Sequence, residues 1–409
     1  MDRRPSLLFL SQCLPYPPHS GVTNRTYNIV RQLQRTFDVT LLAFSRVNHQ
    51  AGSPERAESR AALARELTEV LDPVPIPSES STLARLMVHL KSVVTGRPYI
   101  YYEYRQQEFR DQLKSFLKKN KPALVHLDSL DLYGWRAELP PVPTACTHHS
   151  IESELLRLRA SHIGSAFAAE YLRLQARRVE RIEQESCPRF DTNVMMSAID
   201  ARRLVELAPG TRTYVAPNGV NTEVYTPQTN HTVPGRVVFL GPTYMFPNKD
   251  AINFFVEQCW QRVLARHPGA TLALIGKITA QDRAALESNP GVICEGFVPD
   301  IRPHLSAASC CIAPLRVGGG TRLKILDYWA MGKPVVSTSI GCEGLETEDG
   351  VNILIRDDPE GLADAVAEVL ANPVLQTSLA QGGRQTAEAI YSWDTIGRGL
   401  RDCYTRLIG

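Results

Sequence analysis

Residues 315–338 read Leu-Arg-Val-Gly-Gly-Gly-Thr-Arg-Leu-Lys-Ile-Leu-Asp-Tyr-Trp-Ala-Met-Gly-Lys-Pro-Val-Val-Ser-Thr, and no other stretch of the chain restricts the fold as much. The order is loop, helix, turn, strand. Gly318, Gly319 and Gly320 carry no Cβ, so the backbone there can approach a ligand closely. Leu323, Leu326 and Ala330 fall on one face of a helix predicted over 323–331. Gly332 ends that helix, and Pro334 prevents its continuation. Val335-Val336-Ser337 suits a buried parallel strand. A glycine-rich loop that opens a helix presents unpaired N–H groups and the positive end of the helix dipole to an anion. Arg316, Arg322 and Lys324 lie in or beside the loop, so the expected anion is a phosphate or pyrophosphate. The plainer reading is an ordinary α/β loop with solvated cations.

The same stretch resembles the donor-binding segment of retaining GT-B glycosyltransferases of the GT4 type, where a Glu-x7-Glu pattern precedes a turn like Met331-Gly-Lys-Pro-Val335. Asp327 stands here for the second acid, and Gly319 occupies the place of the first. The resemblance implies that Asp327 holds the donor ribose hydroxyls. It also implies that backbone N–H groups of Gly320 and Thr321 reach the transferred sugar in place of the missing acid.

At 409 residues the chain is long enough for two domains of about 200 residues each. Hydrophobic residues make up 43% and charged residues 22%, an ordinary globular balance. A net charge of +2 gives no general drive toward nucleic acid. The nine cysteines are scattered without a C-x-x-C, which argues against a disulfide framework or zinc site and for reduced thiols in a cytoplasmic protein. The apolar run 7–10 is broken by Gln12 and followed by Pro15, Pro17 and Pro18, so it reads as a first strand rather than a signal peptide. No stretch approaches the roughly 18 apolar residues of a spanning helix.

Strands are predicted over 7–13 and 39–44, with a helix over 22–35 between them, a βαβ unit whose solitary glycine excludes a G-x-G-x-x-G fingerprint. In the GT4 resemblance Gly21 lets backbone approach the donor phosphates, and Arg25 is a weaker candidate nearby. The polar stretch 48–80 reads as a helix and a surface connection. Over 83–121, Lys91, Arg97, Tyr99, Tyr101, Tyr102 and Tyr104 mix basic and aromatic character. This reads as solvated helix faces, or as a surface that could meet an anionic membrane or a glycosyl-lipid acceptor. A strand over 144–147 delivers Thr147-His-His-Ser-Ile-Glu152 at its carboxyl end, where open sheets place ligand groups. Adjacent histidines point oppositely, so one at most meets a ligand. The resemblance assigns His149 to the donor sugar, with His148 in reserve and structural hydrogen bonding as the alternative for both.

Residues 151–185 read as one long charge-laced helical region. A strong turn signal follows at Pro217-Asn218-Gly219, in wording similar to the GT4 interdomain segment, where Asn218 would line the cleft. The domain boundary is placed near 210–230. Strands over 236–241 and 271–276 end in Gly241 and Gly276 and alternate with helices, the first of them predicted over 249–262 with Asn248 as its cap. The resemblance places Gly241 at the donor. It gives Lys249 the pyrophosphate, Val298 in Gly296-Phe-Val-Pro-Asp300 the nucleobase edge through its backbone, and Glu343 the ribose or phosphate-bound water.

The expectation is therefore a GT-B fold of two Rossmann-like parallel-sheet domains facing a cleft. An acceptor domain would run over 1–212, a donor domain over 213–388, and a helix over 389–409 would cross back to the first domain. The implied reaction is retaining transfer from a UDP- or GDP-type nucleotide sugar to a carbohydrate, glycolipid or small-molecule hydroxyl. Arg322, Lys324 and Lys249 would do the work of a divalent metal, since no Asp-x-Asp appears. No cofactor is required. The expected location is the cytoplasm, at most peripheral to the inner membrane face. Rival readings are a hydrolysing sugar-nucleotide epimerase, a nicotinamide-dependent dehydrogenase, and an inactive nucleotide-sugar sensor.

Overall fold

The computed structural model describes residues 4–50, 52–228, 231–317 and 322–409. Gly318, Gly319, Gly320 and Thr321 lie outside the described residues. The chain divides into two compact units: one runs to Pro217 and takes back Gly397–Gly409, the other is Asn218–Ile396.

In the first unit the strands are β1 (Ser6–Ser11), β2 (Asp38–Ser45), β3 (Glu69–Val70), β4 (Val74–Pro75), β5 (Leu124–Leu127), β6 (Thr144–Thr147), β7 (Thr192–Met195) and β8 (Thr213–Val215). They form one sheet in the order β3-β2-β1-β5-β6-β7-β8, with β4 beside β2. Every pairing is parallel, with β1 central: Leu7 lies opposite Val39 on one side and Leu124 on the other. Such strands are covered on both faces, which is why β1 and β5 are near-continuous apolar runs rather than alternating ones. The helix Gly21–Gln34 follows β1 under a capping box, in which the Ser20 hydroxyl accepts from Thr23 N–H and the Thr23 hydroxyl accepts from Ser20 N–H. The last helix, Trp393–Ile408, buries Leu400 and Tyr404 fully.

The second unit holds β9 (Arg236–Leu240), β10 (Thr271–Ile275), β11 (Val292–Gly296), β12 (Cys310–Ala313), β13 (Val335–Ser337) and β14 (Leu354–Ile355). Their order, β11-β10-β9-β12-β13-β14, is that of a Rossmann sheet read 3-2-1-4-5-6. Gly241 and Gly276 end neighbouring strands because the backbones touch there: a Cβ on Gly276 would stand 2.7 Å from the Gly241 carbonyl carbon. The cysteines of β12 are fully buried and free.

Several local expectations change. The region 151–185 is two helices, Glu152–His162 and Ala166–Ser186. Within 48–80, besides the helix Ser53–Ala64, β3 and β4 extend the sheet edge through two-residue pairings too short to leave a sequence period. Pro217-Asn218-Gly219 forms no turn. Gly219 is required there by packing, since a Cβ would lie 2.8 Å from Trp393 and Ile396 side-chain atoms. Arg25 is buried and donates to the carbonyls of Ala216 and Pro217, so it fastens backbone. The helix expected over 249–262 begins at Phe246 with Pro247 in its first turn, passes through a π-helical stretch at Phe255–Trp260, and continues as Gln261–Arg266. Asn248 is therefore inside the helix, not its cap.

Candidate active site

In an open parallel sheet, ligands bind outside the carboxyl ends of the strands where strand order reverses. In the second unit that point lies between β9 and β12. Gly241 leaves β9 there, and Pro314, Leu315 and Arg316 leave β12. The helix Leu323–Ala330 is fixed to this edge by its Tyr328 hydroxyl, which accepts the Leu240 N–H at 2.8 Å. A neighbouring turn closes on the end of β12: Ser337 Oγ donates to Ala313 O at 3.0 Å, and Gly341 packs so tightly that a Cβ would meet that same carbonyl.

Arg322 stands at the N-cap position of the helix, where unpaired N–H groups and the helix dipole favour an anion. Its guanidinium is largely buried and donates twice to Ile340 O, at 3.2 and 3.1 Å. Burial lowers its pKa while nearby Glu343, itself exposed, favours the charge. Lys324 Nζ donates to Asn248 Oδ1 at 2.8 Å and lies 4.2 Å from the centre of the Phe239 ring. Burial, and Arg322 beside it, push the Lys324 ammonium down to about 7. The Asn248 amide also fills the space beside Gly241, where a Cβ would come within 2.7 Å of it. Gly241, Asn248, Lys324 and Arg322 thus form a cationic corner at the switch point. Asn248 is the member that sequence reasoning missed, because it was read as a cap.

Asp327, one turn after Lys324, is half-buried, and its burial pushes the carboxyl up to about 7. No carboxylate oxygen of Asp327 is hydrogen-bonded among the described residues, which leaves it able to accept from a ligand hydroxyl. Val298 is half-buried against the apolar cluster beneath this edge, and Asn218 opens the unit. Two expected cations are engaged elsewhere. Lys249 Nζ is 2.6 Å from Asp282, and Arg316 makes a forked pair with Asp250 while stacking on Phe254. Gly319, Gly320 and Thr321 fall outside the described residues.

The switch point of the first sheet lies between β1 and β5. Asp128, directly after β5, is buried there and accepts from the hydroxyls of Thr26 and Ser11. Burial opposes its charge, but His126 and His149 beside it, with the Thr26 hydroxyl, hold its pKa below the usual carboxylate value. His126 bonds the Tyr404 hydroxyl through Nδ1, bringing the last helix to the same point. His149 Nε2 lies 2.9 Å from the backbone carbonyl of Asp128. A carbonyl only accepts, so Nε2 carries the proton and Nδ1 is left as an acceptor. Burial lowers the His149 pKa against the opposing pull of Asp128, which favours the neutral ring. His148 is turned the other way and buried, with Nε2 at 2.9 Å from Asn193 Oδ1. Gly21 is the exposed first residue of the helix after β1. Asp128 also escaped notice in the sequence, although its place after an apolar strand is the signal that drew attention to the histidines.

Two Rossmann-type units, each with polar side chains gathered at its switch point, define the architecture of the GT-B glycosyltransferases. The family models agree: Glycosyltransferase Family 4 matches residues 19–224 and Glycosyl transferases group 1 matches residues 234–372. The chain belongs to glycosyltransferase family 4. It is 32% identical over 200 residues to the lipopolysaccharide core biosynthesis glycosyltransferase LpsE of Rhizobium meliloti, covering 44% of this chain and 56% of that one. It is 26% identical over 204 residues to a GDP-mannose-dependent monoacylated alpha-(1-6)-phosphatidylinositol monomannoside mannosyltransferase of Corynebacterium glutamicum, covering 45% and 54%. The chain spans about half the length of these curated relatives. Among solved structures, Anabaena Alr3699/HepE in complex with UDP superposes over 98% of this chain and 100% of its own, with a TM-score of 0.66 at 15% identity. A crystal of the same Anabaena protein in complex with UDP-glucose gives a TM-score of 0.62 at 14% identity over the same shares.

Proposed function

We propose that the protein transfers a glycosyl group from a nucleoside-diphosphate sugar to an acceptor hydroxyl with retention of anomeric configuration, and that it does so without a divalent metal. The observation that carries this reading is the corner made by Arg322, Lys324 and Asn248 at the second sheet's switch point. When the nucleoside diphosphate departs, negative charge grows on the β-phosphate as the anomeric carbon becomes oxocarbenium-like. Lys324 and Arg322, with the N-terminal N–H groups of their helix, would stabilise that charge as it forms. Asp327 would accept the ribose hydroxyls, and Glu343 would approach the ribose or phosphate-bound water. His149, neutral with Nδ1 as acceptor, would take a sugar hydroxyl. No residue is assigned as general base, and the leaving phosphate would take the acceptor proton. The Anabaena structures support a nucleotide-sugar donor by their ligands. The names of the two curated relatives favour a glycolipid or polysaccharide acceptor.

The test is a thermal-shift screen against UDP, GDP, ADP, TDP and their sugars in the presence of EDTA, followed by NMR of the product anomer. One base should give a clear stabilisation, since ligand at a hundred times Kd adds about 2.7 kcal/mol. The product should keep the donor's configuration. No stabilisation by any nucleotide would sink the donor assignment. Free sugar appearing with no glycoside, in trials that offer acceptors, would favour a hydrolase.

A further inference from the structure

The helix Thr82–Thr95 of the first unit is turned inside out for a soluble protein. Leu83, Leu86, Met87, Leu90, Val93 and Val94 are 70, 63, 43, 52, 54 and 77% exposed, while the only buried residue of the helix is Ser92. At 100° per residue the six aliphatic side chains occupy an arc about 120° wide, and Ser92 stands nearly opposite its centre. The inward face is held by polar contacts. Gln175 Nε2 donates to Ser92 Oγ at 3.0 Å, Arg178 donates to Ser92 O at 2.8 Å, and His89 Nδ1 is 2.6 Å from the Tyr171 hydroxyl. The helix is nevertheless well formed, with Ser81 capping Ala84 N–H at one end and Gly96 left-handed (φ 74°) at the other. Phe167, four residues before Tyr171 on the helix Ala166–Ser186, is also 93% exposed.

We propose that this helix docks the first unit onto a bilayer surface bearing anionic lipid headgroups. Charge decides the occupant. No acid occurs between Leu83 and Tyr102, whereas Arg85, Lys91 and Arg97 are all exposed. Lys91 borders the apolar arc, where a lysine can reach headgroups while the aliphatic side chains enter the acyl boundary. A second copy of the chain is a poorer partner, because a two-fold contact through this stripe would set these cations against themselves with no acid between them. The sequence expectation of a basic aromatic surface is corrected in its chemistry: Tyr104 is buried in the core, and the exposed face is aliphatic. This inference does not depend on the transfer reaction.

The experiment is sedimentation of the full chain with phosphatidylcholine vesicles, with and without phosphatidylglycerol. The protein should bind the phosphatidylglycerol vesicles. The double variant Leu86→Glu/Leu90→Glu should lower that affinity by at least about tenfold. Both side chains are exposed, so the variant's melting temperature should stay at the wild-type value and confirm its fold. Lys91→Glu should weaken binding to the anionic vesicles alone, and salt should weaken the wild type in the same way. Absence of wild-type binding, or binding unaltered by the double variant, would overturn the proposal. A wild-type dimer that the double variant converts to monomer would overturn it too, by assigning the stripe to self-association.

Discussion

Lys324 has an ammonium that burial and Arg322 hold near the point of losing its proton, with Asn248 as its hydrogen-bond acceptor. A diphosphate placed there would restore the charged form. Nucleotide binding between pH 7 and 8 should therefore take up a proton, seen as a calorimetric enthalpy that changes with the ionisation enthalpy of the buffer. Lys324→Ala and Arg322→Ala should each abolish transfer with the melting temperature little changed; normal turnover in both would remove the phosphate role. Asp327 titrates with the opposite sign. Its folded pKa, near 7, lies above the ordinary carboxylate value of 3.8, so the folded state holds the extra proton between those values and stability falls as pH rises through that window. Asp327→Asn should flatten the fall in melting temperature between pH 4 and 7, a difference on the order of 1 kcal/mol once partial exposure is discounted.

At the scale of elements, the two glycines that end β9 and β10 differ in what a methyl group would meet. The nearest atoms to a Cβ on Gly241 would be those of the Asn248 side-chain amide, which can rotate away. Gly241 sits at φ 159°, so Gly241→Ala should cost some stability; it should also displace Asn248 from Lys324 and weaken nucleotide binding by roughly tenfold, or about 1.4 kcal/mol. A Cβ on Gly276 would strike the Gly241 backbone at 2.7 Å, and Gly276 sits at φ 142°. Gly276→Ala should destabilise the second unit by about 2 kcal/mol or more. Chemical denaturation of both variants, with and without nucleotide, separates the two effects. The longer parallel strands and the helix Leu323–Ala330 were legible to within a residue or two, because apolar runs bounded by glycine and proline carry them. The two-residue strands β3, β4 and β14 were not, since they pair through backbone and leave no period.

For the whole molecule, the end of the chain is part of the beginning. Leu400 and Tyr404 lie in the first unit's interior, Tyr404 bonded to His126 and edge-on to Phe37. Removing Gly397–Gly409 should abolish the melting transition of the first unit and leave a cooperative one for Asn218–Ile396, which calorimetry would resolve. Tyr404→Phe should cost about 1 kcal/mol, because it strands His126 Nδ1 without its partner.

The sequence by itself determined the fold, and it singled out the cations and the acid proposed for the second unit's site. Glycine, cation and acid positions between Gly318 and Asp327 are local in the chain, and local spacing is what a helix and its N-terminal loop preserve. Only the tertiary structure decided which cations meet. Lys249 and Arg316 turn to Asp282 and Asp250, and Asn248 takes the place beside Lys324. These partners are brought together by packing between elements more than thirty residues apart in the chain. The same holds for Asp128 and His149, joined through one backbone carbonyl, and for the aliphatic stripe of Thr82–Thr95. Its apolar period is plain in the sequence. Whether such a face points to the core or to solvent is set by what covers it, and only the folded chain shows that Ser92 faces inward.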